Sequence, residues 1–261
     1  MTHVDWIHFR KSVRKYKKNN IEPKVQEALK AQFEKVEPIA AHAAYDIHLV
    51  EDGRQMKQAL EGLASRYMLV KAPHYLVLTC RNDATDIFNL GYIGEQLVKY
   101  LTLQNLGTCW IGARLSQEKL REMFPVDESH DFSIVIAFGE PVAPLEFIRN
   151  RKRKGIEEVF YGFNTLSDTD KFIAESLLTA PSAMNNQPWR FYFNGGVWDY
   201  YKTLPKGIFS KALRDLVNVD TGIALYHVIE TAHSLGSAIQ FEVMDLHKGD
   251  QNYMGTLKIC D

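Results

Sequence analysis

Apolar positions recur along the chain with two periods, and the elements follow from them. His74–Cys80, entered through Ala72-Pro73, and Phe132–Phe138 are short, almost unbroken apolar runs, the pattern of strands buried on both faces. Tyr45–Val50 reads as another strand. Between them the period changes. Glu22–Val36 predicts a helix with Pro23 near its first turn, where a missing N–H costs nothing. Asn89–Leu106 predicts a second helix, with Leu90, Ile93, Leu97, Leu101 and Leu103 on its apolar face and Gly107 as its C′ residue. A short segment, Thr108–Ala113, leads to a helix beginning at Ser116, and Gly139-Glu140-Pro141 stops the strand that follows.

Residues 141–166 read as a connector, with Pro141, Pro144 and the basic run Arg149–Lys154. Beyond it, Ser167 and Asp170 resemble a capping box opening a helix to about Leu178, which Ala180-Pro181 breaks. Trp189–Phe193 and Val197–Tyr201 flank Asn194-Gly195-Gly196, a hairpin signal. Val219–Leu235 predicts a long helix stopped by Gly236, and Ala238–Met244 and Met254–Ile259 are the last expected strands.

The two stretches look like copies, each with a basic opening, a helix, a strand and a long helix ending in Leu-Gly. Pro38 matches Pro181, and Arg10-Lys11 matches Arg153-Lys154, at an offset of 143 residues. Leu106-Gly107 matches Leu235-Gly236 at 129, which implies a deletion of 14 residues in the second copy. The expected halves are residues 1–148 and 149–261.

Composition narrows the class. With 261 residues, 46% hydrophobic and 24% charged, the chain can bury a sizeable core without disulfide or metal staples. A formal net charge of −1 gives no bulk field for nucleic acid or an anionic membrane. Cys80, Cys109 and Cys260 form no CxxC pair, and the nine histidines show no metal-ligand spacing, so no metal is expected. The first twenty residues are charged and hold no apolar signal core, and no apolar run approaches a membrane span. A cytoplasmic protein without nucleic-acid or membrane partners is expected.

The candidate chemistry lies in Ala180-Pro-Ser-Ala-Met-Asn-Asn-Gln-Pro-Trp-Arg-Phe191, between a helix and a strand. Ser182, Asn185, Asn186 and Gln187 put donors and acceptors on a constrained turn that can hydrogen-bond a heteroaromatic edge. The same residue types also serve a plain connecting loop. The basic runs Arg10–Lys18 and Arg149–Lys154 read as solvated surface or as a nucleic-acid patch, and the near-neutral charge and the lack of any DNA or RNA motif disfavour the second. Cys109 lacks an evident histidine partner, and Trp110 reads as packing. Arg114 stands either at a pocket mouth, drawing an anion, or toward solvent.

That string, with Arg10-Lys11-Ser12-Val13-Arg14 and Leu106-Gly-Thr-Cys-Trp-Ile-Gly112, resembles the FMN-dependent nitroreductase family across nearly the whole chain, in the branch with two nitroreductase-like halves fused. The resemblance implies an α+β fold, a nitroreductase-like sandwich with a mainly antiparallel central sheet flanked by helices, the halves forming an internal pseudo-dimer. The protein would then be a monomer mimicking the family's homodimer. It implies FMN as cofactor, with Arg10, Lys11, Ser12 and Arg14 at the phosphate, ribityl chain and pyrimidine edge. Arg151 and Arg153 would hold the phosphate. The backbone of Ile111, Gly112 and Ala113 would approach the flavin N5, and Pro181, Ser182 and Asn186 would line the isoalloxazine. Arginine forks suit a phosphate, and no side-chain acid or base is required for hydride transfer, so no catalytic residue is nominated. The implied activity is an oxidoreductase passing hydride from NADH or NADPH to an electron-poor small molecule such as a nitroaromatic or quinone. Flavin storage without turnover and a related flavin reaction such as reductive dehalogenation are the alternatives. At the offset of 143, Ser12 aligns with Gly155, Arg14 with Glu157, Ser182 with Ile39 and Asn186 with Ala43, so one flavin per chain is expected.

Overall fold

The computed structural model describes residues 5–40, 42–59, 70–205, 210–242, 250 and 252–260. The expected strand residues 243–244 fall outside them. The chain divides into two compact units, one spanning His8–Phe147 and the other holding the described residues of Thr2–Ile7 and Ile148–Asp261.

The first unit runs α1 (Pro23–Phe33), β1 (Tyr45–Val50), α2 (Gly53–Ala59), β2 (His74–Cys80), α3 (Ala84–Leu103), β3 (Gly107–Ile111), α4 (Gln117–Met123) and β4 (Phe132–Gly139). Its four strands lie in the order β1-β2-β4-β3, every pair antiparallel. β2 and β4 are buried at every position, as their continuous apolar runs require. α3 starts five residues before the expected Asn89, because Asp83 caps it by accepting from the Thr85 and Asp86 N–H groups at 2.8 and 3.4 Å.

The second unit runs α5 (Ile156–Val159), β5 (Phe160–Tyr161), α6 (Asp168–Glu175), β6 (Trp189–Asn194), β7 (Val197–Lys202), α7 (Ser210–Ser234), β8 (Ala238–Glu242) and β9 (Tyr253–Cys260). The expected connector 141–166 is thus partly ordered: β5 pairs in parallel with β6, outside the antiparallel order β6-β7-β9-β8. Ser167 caps α6 as expected, accepting from the Asp170 N–H at 3.1 Å, but the α-helix ends at Glu175 and a 3₁₀ turn, Ser176–Leu178, completes it. Gly195 and Gly196, with φ of 60° and 94°, form the two-residue turn between β6 and β7, which only glycine adopts without strain. Trp189, Phe191, Trp198 and Tyr200 are fully buried, and the Phe191 and Tyr200 rings stack at 4.2 Å.

Without β5 the two sheets share one connection order: two antiparallel strands, a long helix, an edge strand, then a strand inserted beside the second. The helix ends fix the register. α3 finishes in a Schellman turn with Asn105 at C′ (φ 58°), the Leu106 N–H reaching the Leu101 carbonyl at 2.9 Å. α7 finishes in the same turn with Gly236 at C′ (φ 88°), the Ser237 N–H reaching the Ala232 carbonyl at 3.0 Å. The equivalent of Gly236 is therefore Asn105, at an offset of 131. The Leu-Gly match at 129 is out of register by two, and the implied deletion becomes 12 residues. Gly107 is not the C′ residue; it opens β3, as Ala238 opens β8 at the same offset of 131.

Candidate functional site

In the first unit the basic opening is an extended strand laid along β3. Ser12 and Thr108 form an isolated parallel bridge, and the Val13 N–H donates to the Thr108 carbonyl at 2.8 Å. The approach is close enough to demand glycine at 107, since a Cβ there would stand 2.6 Å from Val13 Cγ2. The structure therefore brings together two strings that are far apart in sequence, Arg10–Arg14 and Gly107–Ile111. Arg10 is only 3% exposed. Burial pulls its pKa down, while the nearby Glu95 carboxylate and Cys109 push it up. Glu95 is itself fully buried and accepts from Trp110 Nε1 at 2.8 Å. Glu95 was not legible in the sequence as part of this cluster, although an acid inside an apolar helix is a signal in its own right.

Burial raises the Cys109 pKa, against the opposing pull of Arg14, Arg10 and Ser12. Arg14 is exposed and reaches back to the Ser12 carbonyl at 3.4 Å. Lys11 is engaged away from this cluster, its Nζ donating to the Pro144 carbonyl at 3.0 Å. Ile111 and Ala113 are buried in an apolar cluster with Cys109, Leu115 and Leu120, so only their backbone could meet a ligand; Gly112 between them is half-buried. The exposed Arg114 guanidinium stacks over the Phe132 ring at 4.4 Å.

In the second unit the Pro-Ser-x-x-Asn string is a turn with three non-glycine residues in the left-handed region: Met184 (φ 53°), Asn185 (φ 58°) and Gln187 (φ 48°). Each such residue costs on the order of 1–2 kcal/mol, so surrounding contacts must hold the turn. The basic segment supplies many of them. Arg153 donates to Asn185 Oδ1 at 2.7 Å and to the Ala180 carbonyl at 3.3 Å. Asn185 Nδ2 donates back to the Lys152 carbonyl at 2.9 Å, and Lys154 Nζ to the Asn186 carbonyl at 2.7 Å. Gln187, 2% exposed, accepts from the Lys154 N–H at 3.0 Å and donates its own backbone N–H to Ser182 Oγ at 3.0 Å. Beneath the turn, the Ala183 N–H meets both carboxylate oxygens of Asp220 at 3.0 Å. Arg151 lies apart, donating to the Ile7 carbonyl at 3.0 Å.

The turn thus offers a fixed polar edge. Asn186 and Met184 are exposed, Ser182 is half-buried, and Pro181 is buried. Among the described residues the Ser182 hydroxyl accepts one hydrogen bond and donates none, so its O–H remains a donor for a ligand. Asp220 and Lys154 were not singled out in the sequence. In the sequence Lys154 reads as surface, and Asp220 is a lone acid between Val219 and Ile223 of an apolar helix. No helix among the described residues is long and apolar enough to cross a membrane.

The chain belongs to the family described as "Putative TM nitroreductase", whose model matches residues 3–232. Its fold is that of a "putative nitroreductase" from Thermotoga maritima, 23% identical over 98% of this chain and 92% of that one, with a TM-score of 0.64. An FMN-dependent nitroreductase from Clostridium difficile shares the fold over 59% of this chain and 97% of its own, at 16% identity and a TM-score of 0.51. No curated protein matches the chain.

Proposed function

We propose that the chain is an FMN-dependent oxidoreductase that passes hydride from NADH or NADPH to an electron-poor small molecule such as a nitroaromatic or quinone. The observation that carries this reading is the braced left-handed turn 182–187, held by four side chains (Arg153, Lys154, Gln187 and Asp220) while Ser182 keeps a donor for a ligand. Family membership supports it, as does the shared fold with an enzyme that is FMN-dependent.

The residues fit the cofactor's chemistry. FMN presents a dianionic phosphate, a polyhydroxylated chain and a ring edge rich in acceptors. Arg10, Ser12 and Arg14 supply cationic forks and a hydroxyl for the first two. Arg151 and Arg153 would hold the phosphate, Arg153 while also securing the turn and Arg151 from its place beside the Ile7 carbonyl. Ser182 and Asn186 supply polar groups for the ring, with Pro181 as an apolar wall. Ile111, Gly112 and Ala113 offer backbone rather than side chains. FMN, when bound, supplies the two-electron carrier; the chain's own groups bind it, orient it and set the polarity around it.

The matching strand orders and helix ends support reading the chain as two nitroreductase-like halves, residues 1–148 and 149–261, in a monomer that stands in for a homodimer. An anaerobic titration tests the activity. FMN-loaded protein should bleach on addition of NADH or NADPH and regain its yellow colour when a quinone or nitroaromatic is added. A flavin that binds but is never bleached would make the protein a carrier and overturn the enzymatic reading.

A further inference from the structure

The bond beneath the candidate flavin turn occurs twice in the chain. In the second unit the Ala183 N–H donates to Asp220 Oδ1 and Oδ2 at 3.0 Å. In the first, the Ala40 N–H donates to Asn89 Oδ1 at 3.0 Å. Ala40 and Ala183 are 143 residues apart, the offset of the front of the repeat, and Asn89 and Asp220 are 131 apart, the offset of the long-helix ends. One position on the long helix thus fastens one position of the segment before the first hairpin strand in each unit. Both helix side chains are buried, Asn89 at 0% and Asp220 at 5% exposure.

What differs is what is fastened. Around Ala40, Ile39 and Ala43 stand where the second unit has Ser182 and Asn186 and carry no polar side chain, while His42 (φ 66°) matches the left-handed Asn185. Ala183 lies between Ser182 and Met184, the first of the three left-handed residues. An N–H anchored at that point fixes the peptide from which Ser182 projects and the start of the turn that sets Asn186.

We infer that Asp220 is the positioning residue of the flavin turn, holding Ala183 so that Ser182 and Asn186 face bound FMN. The inference rests on the flavin reading above. The acceptor, rather than its charge, does the holding, because the amide of Asn89 makes the same bond in the first unit.

The test uses the full chain with Asp220→Ala and with Asp220→Asn, the latter copying Asn89. FMN binding is followed by quenching of flavin fluorescence and by the visible circular dichroism of the bound flavin. Amide hydrogen exchange at residues 183–187 is followed in the apoprotein. Asp220→Ala should bind FMN about tenfold more weakly, the loss of roughly one well-formed hydrogen bond. It should also change the flavin's dichroism and exchange the Ala183 amide faster, with far-UV dichroism unchanged. Asp220→Asn should restore all three, with affinity within about threefold of wild type. If the alanine variant does not fold, Asp220→Ser takes its place and is read in the same way. Wild-type affinity in the alanine variant overturns the proposal, whether or not exchange at Ala183 speeds up. Failure of Asp220→Asn to restore binding also overturns it. Wild-type protein that binds no FMN overturns the flavin reading itself, and exchange at Ala183 still reports whether Asp220 holds the turn.

Discussion

Arg10 and Ser182 would meet the cofactor with different strengths, and the difference can be measured. Arg10 is a buried cation with Glu95 for company, so a ligand phosphate or ring oxygen would receive a charge-assisted bond there. Arg10→Ala should weaken FMN binding by about 1.5–3 kcal/mol, whereas Ser182→Ala should cost about 0.5–1.5 kcal/mol, the range for a neutral bond. Equal affinity in the arginine variant and wild type, measured by fluorescence titration, would remove Arg10 from the site. Asp220 makes a prediction of its own. Burial raises its pKa well above the usual carboxylate range, against the lowering effect of the Ala183 bond. A folded-state pKa above the unfolded one gives stability that is complete below the unfolded value and is lost as pH rises toward the folded value. Asp220→Asn should therefore gain on wild type in urea midpoint as pH climbs from about 4 to neutrality, and the gap should close below that. A pH-independent gap would refute it. Most motif residues were legible in the sequence because they lie in three short strings, Arg10–Arg14, Leu106–Gly112 and Ala180–Phe191. Asp220 and Glu95 act on residues far from them along the chain, and each shows in sequence only as an acid in an apolar helix.

The two Schellman turns test how closely equivalent elements share their physics. A Cβ added at Gly236, where φ is 88°, would meet no atom within 4 Å, so substitution there is opposed by backbone conformation alone. Gly236→Ala should cost about 1–2 kcal/mol in denaturant unfolding. Asn105→Gly should be neutral or stabilising, because Asn105 already occupies the left-handed region at φ 58° without glycine's freedom. A destabilised Asn105→Gly would show that the Asn105 side chain does more than tolerate the turn. At this scale strands were the most legible elements: Tyr45–Val50 and His74–Cys80 form over the expected residues because uninterrupted or β-branched apolar runs leave little choice. Helix boundaries were less so. α3 begins at a cap, Asp83, that lies outside its apolar period, and Gly107 looked like a helix stop when its true constraint is Val13 lying against it. The two-residue strand β5 was hidden because its pairing is with β6, about thirty residues on, and leaves no local pattern.

A chain built from two matching units could hold two flavins, and its residues argue for one. The shared bonds at Ala40 and Ala183 fix the loop alignment at an offset of 143, so Ser182 stands opposite Ile39 and Asn186 opposite Ala43. The first loop has lost both polar groups. On the basic side the same offset sets Ser12 against Gly155 and Arg14 against Glu157, exchanging a hydroxyl for hydrogen and a cation for an anion. The backbone diverges as well. Arg10–Arg14 lies beside β3 through the Ser12–Thr108 bridge, whereas Gly155 is the N-cap of the short helix α5 that holds Glu157, its N–H held by Glu158 Oε1 at 2.7 Å. Of the polar sets that the flavin reading assigns, the chain carries one basic segment and one polar loop. An acid such as Glu157 would repel a phosphate besides failing to bind it. If the proposed reading as a flavin-binding monomer holds, equilibrium dialysis of apoprotein against FMN should reach a plateau of about one flavin per chain, in the monomeric fraction. A plateau near two would refute the loss of a site. A plateau of one confined to a dimeric fraction would place the cofactor between two chains and end the reading of the protein as a monomer that stands in for a dimer.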